Sequence, residues 1–214
     1  MTAHTVLFDL DGVLVDSQDA EVLALLEFAR TVHARVPAEG FAERVAGRRM
    51  SESVAIVGQY TDTPLPDDAV ERVREIAERY LATRLRATPG MAAALREITA
   101  PAYVVSNSPL GMIEDRLRRT GLAGFFTGPH FSAYELGTWK PDPGLYRQAV
   151  RTLGVDPETV VAVEDSEVGV RSAHDAGLRV HWYRPDRPEE SRCSGRVRVF
   201  GDMSALPGLL AARV

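Results

Sequence analysis

Two carboxylates, Asp9 and Asp11, stand two residues apart where an apolar run meets a glycine. Residues 6–8 are apolar on both sides of an extended chain, which is typical of a buried strand, and Gly12 allows a sharp turn just beyond them. The ends of parallel strands collect ligands, so this placement predicts an active site. The competing interpretation is an ordinary turn, because Asp-Gly is among the commonest turn sequences.

Three later polar clusters also follow apolar runs or rigid segments, which weakens the turn interpretation. Ser106 follows the apolar run 102–105, and Glu164 and Asp165 follow the run 160–163. Lys140 stands beside two prolines, which hold the chain rigid. We expect the four clusters to meet at one edge of a sheet.

The residue types suit phosphoryl transfer, which needs an in-line nucleophile, neutralisation of charge and a proton for the leaving oxygen. Asp9 can serve as the nucleophile and form an acyl phosphate. Asp11 points to the same side of an extended segment and can act as general acid and then as general base. Such acid–base help contributes roughly 10²–10⁴-fold to the rate.

Asp9, Glu164 and Asp165 are hard oxygen donors, which suit Mg²⁺ better than a softer metal. Carboxylates so close together repel one another unless a cation lies among them. The sequence therefore predicts a magnesium site made by these residues.

The four clusters, in their order and spacing, resemble the four motifs of the haloacid dehalogenase superfamily, in particular its phosphatases and phosphomutases. The resemblance implies that the Asp11 main-chain carbonyl is a further Mg²⁺ ligand. It also implies that Ser106, with help from Asn107, hydrogen-bonds the substrate phosphate, and that Lys140 neutralises both the phosphate and the nucleophile.

Each of these residues also has a purely structural interpretation. Ser106 can cap the helix that follows it, and Lys140 can be a solvated surface lysine. Residues 164–166 can simply start a helix with Ser166 as its cap, although capping and catalysis are compatible.

The helices and strands that must position these residues are predicted from the spacing of apolar residues and from the glycines and prolines that end each segment. From residue 89 onward strands alternate with helices, which predicts an α/β fold with a Rossmann-like parallel sheet wrapped on both faces. Residues 17–85 show only helical periods. We therefore expect an α/β core over residues 1–16 and 86–214 and a small all-helical cap domain over residues 17–85, where the resembled family places its cap.

The composition of the 214 residues agrees with a soluble enzyme. The formal net charge of −5 gives the chain no general attraction for nucleic acid or anionic membranes. The single cysteine, Cys193, cannot form an intramolecular disulfide, and no apolar run approaches ~20 residues. We expect a cytoplasmic monomer or small homo-oligomer whose partner is a small phosphorylated metabolite.

The cap is expected to select the substrate. Arg48 and Arg49 fall where related caps contact substrate, and two arginines suit a second anionic group. The alternative is a helix end with two solvent-facing arginines.

Hexose-phosphate mutases of the resembled family carry a histidine after the first motif and a lysine on a cap helix. This chain has Glu21 and Ile76 near those places, which argues against a mutase. Residues 98–108 and 132–143 instead resemble bacterial sugar-phosphate phosphatases of the 6-phosphogluconate phosphatase kind. The sequence thus predicts a Mg²⁺-dependent phosphatase acting on a sugar phosphate or sugar-acid phosphate through an aspartyl-phosphate. The alternatives are a β-phosphoglucomutase-like mutase and a catalytically silent relative that binds a phosphorylated metabolite.

Overall fold

A computed structural model describes residues 5–37, 39–185 and 195–212. Cys193, to which the sequence assigned no role, lies outside these ranges. The described strands are β1 (Thr5–Phe8), β2 (Val15–Asp16), β3 (Arg86–Ala87), β4 (Ala102–Ser106), β5 (Phe131–Ser132), β6 (Val160–Glu164), β7 (Arg179–Tyr183) and β8 (Val197–Phe200). The described helices are α1 (Gln18–Thr31), α2 (Phe41–Val45), α3 (Met50–Gly58), α4 (Ala69–Arg84), α5 (Met91–Glu97), α6 (Leu110–Arg119), α7 (Ala133–Leu136), α8 (Gly144–Leu153), α9 (Glu167–Asp175) and α10 (Leu206–Ala211).

Six strands form one parallel sheet in the order β5-β4-β1-β6-β7-β8. β1 lies near the middle and pairs with β4 on one side and β6 on the other. The carboxyl ends of β1, β4 and β6 therefore meet at one edge. This arrangement confirms the predicted Rossmann-like α/β sheet.

Both faces of the sheet are covered by helices, as the apolar strands require. Leu7 packs on one face against buried side chains of α8 and α9, whereas Phe8 packs on the other against those of α5, α6 and α10. A strand buried on both faces needs apolar residues at every position, which explains the unbroken apolar runs in the sequence.

The helices α1 to α4 share a separate apolar cluster, in which Phe28 and Val57 are fully buried. Two short strands, β2 and β3, pair antiparallel where the chain passes into and out of this helical segment. This ribbon is not predictable from the sequence, because two-residue strands leave no detectable period. The cap boundaries 17 and 85 remain a prediction. None of the helices in the described ranges is long and apolar enough to cross a membrane.

Replacing Phe28 tests whether the helical segment behaves as its own domain. Phe28→Ala should cost about 3–5 kcal/mol of unfolding free energy, because it leaves a cavity in the α1–α4 cluster. Hydrogen exchange should then accelerate for amides of α1 and α4 but not for those of β1 and β6. Phe28→Leu, which keeps most of the buried volume, is the control. Equal acceleration in both regions would show that the chain opens as one unit.

Candidate active site

The end of β1 brings the Asp9 carboxyl to the edge of the sheet. The Asp9 backbone N–H donates to the Val163 carbonyl at 3.0 Å, which continues the β1–β6 ladder by one residue. Gly12 has a φ of 83°, a conformation that a residue with a Cβ adopts only under strain, so the sharp turn predicted from the glycine is present. The ladder and the turn together fix the direction in which Asp9 leaves the sheet.

Lys140 is buried beneath the same edge, with 3% of its surface exposed. Its Nζ donates to Asp9 Oδ1 at 2.5 Å, to Glu164 Oε1 at 2.6 Å and to the Val105 carbonyl at 2.8 Å. All three donors of the ammonium are therefore used. The surface-lysine interpretation is wrong, because an ammonium this buried is tolerated only with such partners.

Glu164, at the end of β6, is fully buried and shares Lys140 with Asp9. Its Oε1 also accepts the Tyr146 hydroxyl at 2.5 Å. A Cβ on Gly169 would overlap the Glu164 carboxylate, so the start of α9 needs a glycine there. Ser166 caps α9 by accepting from the Gly169 N–H at 3.2 Å. The capping interpretation is confirmed, and it coexists with the carboxylate cluster as expected.

The three carboxylates predicted to bind metal lie together. Asp9, Glu164 and Asp165 each offer an oxygen, and these oxygens lie within 4.8 Å of one another. Glu164 Oε2 is buried and has no hydrogen-bond partner among the described residues. A buried oxygen that accepts no hydrogen bond is suited to binding a cation. The donor set is all oxygen, so these residues fit Mg²⁺.

Burial makes the negative charges of this cluster costly. Burial raises the pKa of Asp9 to about 8, with Glu164 and Asp11 adding to the rise and Lys140 opposing it. Burial also raises the pKa of Asp165 well above its usual value. One lysine leaves two of the three negative charges unbalanced, and a divalent cation would balance those two.

Ser106 and Asn107, the predicted phosphate-binding residues, lie at the end of β4 next to Lys140. The Ser106 hydroxyl accepts the Ser108 N–H at 3.0 Å, whereas α6 begins only at Leu110, so Ser106 does not cap that helix. Asn107 Oδ1 accepts the Lys140 backbone N–H at 2.9 Å, and its Nδ2 donates to the Gly47 carbonyl at 3.1 Å. Asn107 thus ties the Lys140 segment to the loop before α3, and its contact with phosphate stays a prediction.

Asp11 lies beside an ion-pair network that sequence reasoning missed. Arg116, in α6, is 2% exposed and its Nη1 contacts the Asp11 carboxylate. Both terminal nitrogens of Arg116 donate to Glu21 Oε1 at 3.2 Å. Burial opposes the guanidinium charge, but the surrounding carboxylates outweigh it and raise the pKa of Arg116 above its usual value. An arginine on the apolar side of α6, three residues after Ile113, was the signal available in the sequence.

The predicted cap arginines line a cavity of about 580 Å³ that also contains Asp9, Asp11 and Lys140. Arg49 pairs with Glu52 at 2.7 Å and lies over the Trp139 ring at 5.5 Å, so its charge is already partnered. Arg48 donates from Nε to the Arg44 carbonyl at 2.7 Å. Both arginines are exposed at the start of α3, with Arg49 directly before its first residue, so the interpretation as solvent-facing arginines at a helix end and the interpretation as cavity-lining residues both hold.

Comparisons with known proteins agree with this geometry. A family described as haloacid dehalogenase-like hydrolase matches residues 3–177. The chain is 34% identical to 6-phosphogluconate phosphatase of Escherichia coli, over 98% of this chain and 96% of that protein. It is 29% identical to a phosphorylated carbohydrates phosphatase of Thermotoga maritima, over 82% of each chain.

A solved haloacid dehalogenase-like protein of unknown function from Agrobacterium tumefaciens has a TM-score of 0.76 and 27% identity, with 98% of each chain covered. CbbY from Rhodobacter sphaeroides, solved with phosphate, has a TM-score of 0.77 over 96% of each chain, and at 23% identity it supports the fold alone.

Stability should fall with rising pH when metal is absent. Between pH 6.5 and 8 the raised pKa of Asp9 keeps a proton on the folded protein that the unfolded chain has lost, so raising the pH favours unfolding. His181, whose pKa burial lowers to about 4, acts in the opposite direction but only below this window. Thermal unfolding in chelator should show the fall, Mg²⁺ should reduce it, and Asp9→Asn should make it smaller. Part of the fall should remain in Asp9→Asn, because burial also raises the pKa of Glu21 to about 7 and that of Asp165 well above its usual value. A midpoint that is constant in chelator over this window would contradict the charge balance described above.

Proposed function

The chain belongs to the haloacid dehalogenase-like hydrolases, and from this premise we propose that it is a Mg²⁺-dependent phosphatase acting on a sugar phosphate or sugar-acid phosphate through an aspartyl-phosphate on Asp9. It is a phosphoric monoester hydrolase, as its named phosphatase relatives are. A cytoplasmic location and a monomeric or small homo-oligomeric state remain predictions.

The proposal rests on one observation, which is that three features coincide at Asp9. The Asp9 carboxyl is bound to a buried lysine at 2.5 Å, lies in an oxygen cluster that fits Mg²⁺, and lines a cavity shared with the cap helices. A nucleophile, the means to neutralise phosphoryl charge, and room for a small substrate therefore coincide at one point.

In the first step, an Asp9 oxygen attacks phosphorus and the ester oxygen leaves. Asp11 gives that oxygen a proton, which a sugar alkoxide needs because it is a poor leaving group. Lys140 stabilises the charge on the phosphoryl oxygens, and the Ser106 hydroxyl orients them. Mg²⁺, when bound, supplies additional positive charge for this purpose.

In the second step, water attacks the phosphorus of the aspartyl-phosphate and releases inorganic phosphate. Asp11, now deprotonated, takes a proton from the water. The carboxylates that would hold the cation are Asp9, Glu164 and Asp165, with the Asp11 main-chain carbonyl as the further ligand implied by the family.

A phosphomutase is less well supported. Glu21, near the place of the mutase histidine, is held by Arg116. Ile76, near the place of the mutase lysine, is buried in the cap cluster. Ile76 can supply neither the charge nor the hydrogen bonds of a lysine, and the carboxyl of Glu21 is engaged by Arg116 and cannot act as the imidazole of a histidine would.

The substrate is proposed to carry a second anionic group. Arg48 and Arg74 line the cavity. Among the ion pairs of the described residues, neither arginine pairs with a carboxylate, whereas Arg49 and Arg72 each do. Arg74, in α4, donates to the Tyr134 hydroxyl at 2.5 Å, and both residues line the cavity. Because Arg49 already has Glu52, we assign the second anion to Arg48 and Arg74. The E. coli relative is named for 6-phosphogluconate, which has such a carboxylate.

Asp9→Asn should abolish turnover while leaving the fold intact, since the amide keeps the shape of the carboxyl but is not a nucleophile. Wild type and variant should be assayed with Mg²⁺ on 6-phosphogluconate, glucose 6-phosphate, phosphoglycolate and p-nitrophenyl phosphate, with circular dichroism as the folding control. Rapid quench with ³²P-labelled substrate should trap labelled protein in wild type alone. An Asp9→Asn protein as active as wild type would refute the covalent mechanism.

Replacing both Arg48 and Arg74 with alanine should raise the KM for 6-phosphogluconate much more than that for glucose 6-phosphate, which lacks the carboxylate. Loss of a charged hydrogen bond of about 1.5–3 kcal/mol corresponds to roughly one to two decades in catalytic efficiency.

The matched control is Arg72→Ala. Arg72 lies in the same helix, α4, and pairs with Asp68 at 2.9 Å. Arg72→Ala should change neither KM. Equal effects of the double substitution on both sugar phosphates would count against a second-anion site while leaving the phosphatase assignment in place.

A further inference from the structure

Arg116 connects the proposed acid–base residue to two cap helices. Its guanidinium contacts the carboxylates of Asp11, which follows β1, of Glu21 in α1 at 3.2 Å, and of Glu78 in α4 at 4.0 Å. Only Asp11 belongs to the phosphoryl site. One buried cation is therefore shared between the chemistry and the segment that covers it.

The Asp11 carboxylate is held on both of its oxygens. Oδ1 accepts the Ser17 hydroxyl at 2.5 Å and also contacts Arg116, whereas Oδ2 accepts the Ser108 hydroxyl at 2.9 Å. The serines are neutral donors. Arg116 is the only cation within ion-pair distance of Asp11 in the described ranges, and a charge-assisted bond is roughly twice as strong as a neutral one. Arg116 thus contributes most to setting where the Asp11 carboxylate lies.

The guanidinium itself has little freedom. Arg116 is 2% exposed, and its planar fork needs carboxylates in fixed directions. A shift of α1 relative to α6 moves Glu21, and the guanidinium follows because it would otherwise lose one of its two closest carboxylates. Glu78 lies farther from Arg116, at 4.0 Å, and is held at 3.2 Å by Arg119. Any such movement of α1 reaches Asp11 through the Nη1 contact.

We propose, on the basis of the phosphatase function above, that Arg116 is a positioning residue for Asp11, and that Glu21 transmits the position of α1 to Asp11 through it. Arg116 does not contact the reacting atoms in this role. It holds the carboxylate so that its oxygen meets the leaving group, and a displacement of about 1 Å at such a group can cost up to ~10²-fold in rate.

A neighbouring arginine provides a matched control. Arg119 also extends from α6 to α4, where it contacts Glu78 at 3.2 Å and donates to the Leu81 carbonyl at 2.7 Å. No contact joins it to Asp11 among the described interactions. Arg119→Lys therefore weakens the contact of α6 with α4 and leaves the pairing of Arg116 with Asp11 and with Glu21 of α1 in place.

The experiment compares Arg116→Lys with Arg119→Lys on two substrates, a sugar phosphate that wild type hydrolyses and p-nitrophenyl phosphate, whose leaving group needs little protonation. Asp11→Asn shows how much more the loss of acid catalysis slows the sugar phosphate than p-nitrophenyl phosphate. The rate compared is that of Asp9 phosphorylation in a single turnover, measured by rapid quench, because the later hydrolysis step uses Asp11 as base for both substrates alike. Arg116→Lys should lower that rate on the sugar phosphate by about ten-fold or more, with the rate on p-nitrophenyl phosphate and both KM values changed by less than about two-fold. Arg119→Lys should change neither rate by more than about two-fold.

Equal losses on both substrates in Arg116→Lys, or the same selective loss in Arg119→Lys, would overturn the proposal. If Arg116→Lys does not fold, Glu21→Gln decides, because it keeps the guanidinium and removes one carboxylate that holds it. Glu21→Gln should lower the rate on the sugar phosphate, by less than Arg116→Lys does, and should leave the rate on p-nitrophenyl phosphate unchanged. An unchanged ratio of the two rates would overturn the proposal. Failure of the phosphatase function is distinct, since wild type would then hydrolyse none of the phosphate monoesters.

Discussion

The buried ammonium of Lys140 is the interaction on which the site depends. It bonds Asp9 at the end of β1, Glu164 at the end of β6 and the Val105 carbonyl of β4, so it joins the three strands that meet at the edge of the sheet. Burial favours neutral carboxyl groups, and the lysine offsets that preference only partly. The negative charge that the lysine leaves unbalanced is the basis on which we propose a hard divalent cation at this cluster, and on which we predict that the metal-free protein is sensitive to pH.

The site also depends on space that small residues leave open. Gly169 makes room for the Glu164 carboxylate at the start of α9. Gly47 lies against Ser166, and a Cβ there would overlap the serine side chain. These contacts let the loop before α3 approach the start of α9 closely. The cap loop and the carboxylate cluster are thus fitted to each other by the lack of side chains as well as by hydrogen bonds.

Arginines perform three different tasks around the cavity. Arg116 is buried and joins the cap carboxylates to Asp11, whereas Arg49 stacks over Trp139 and pairs with Glu52. Arg48 and Arg74 keep a charge facing the cavity, and these are the residues we assign to substrate selection. The relatives named for sugar phosphates and phosphorylated carbohydrates share the hydrolase family, so differences in substrate are expected to reside in side chains of this kind.

The sequence by itself determined the α/β sheet, the helical segment after the first strand, and the meeting of Asp9, Lys140, Glu164 and Asp165. The sheet and the meeting of Asp9, Glu164 and Asp165 follow from local signals, namely apolar period, a glycine turn and polar residues at strand ends, because parallel strands bring their carboxyl ends to one edge. Lys140 lies between α7 and α8 rather than at a strand end, and the motif order of the resembled family indicated its place. Only the tertiary structure decided which arginines are partnered and which face the cavity. Arg116 meets Glu21 and Glu78, which lie 95 and 38 residues away along the chain, and Arg74 meets Tyr134 across 60 residues. No local pattern encodes such pairs, because they depend on how the helices of the cap pack over the core.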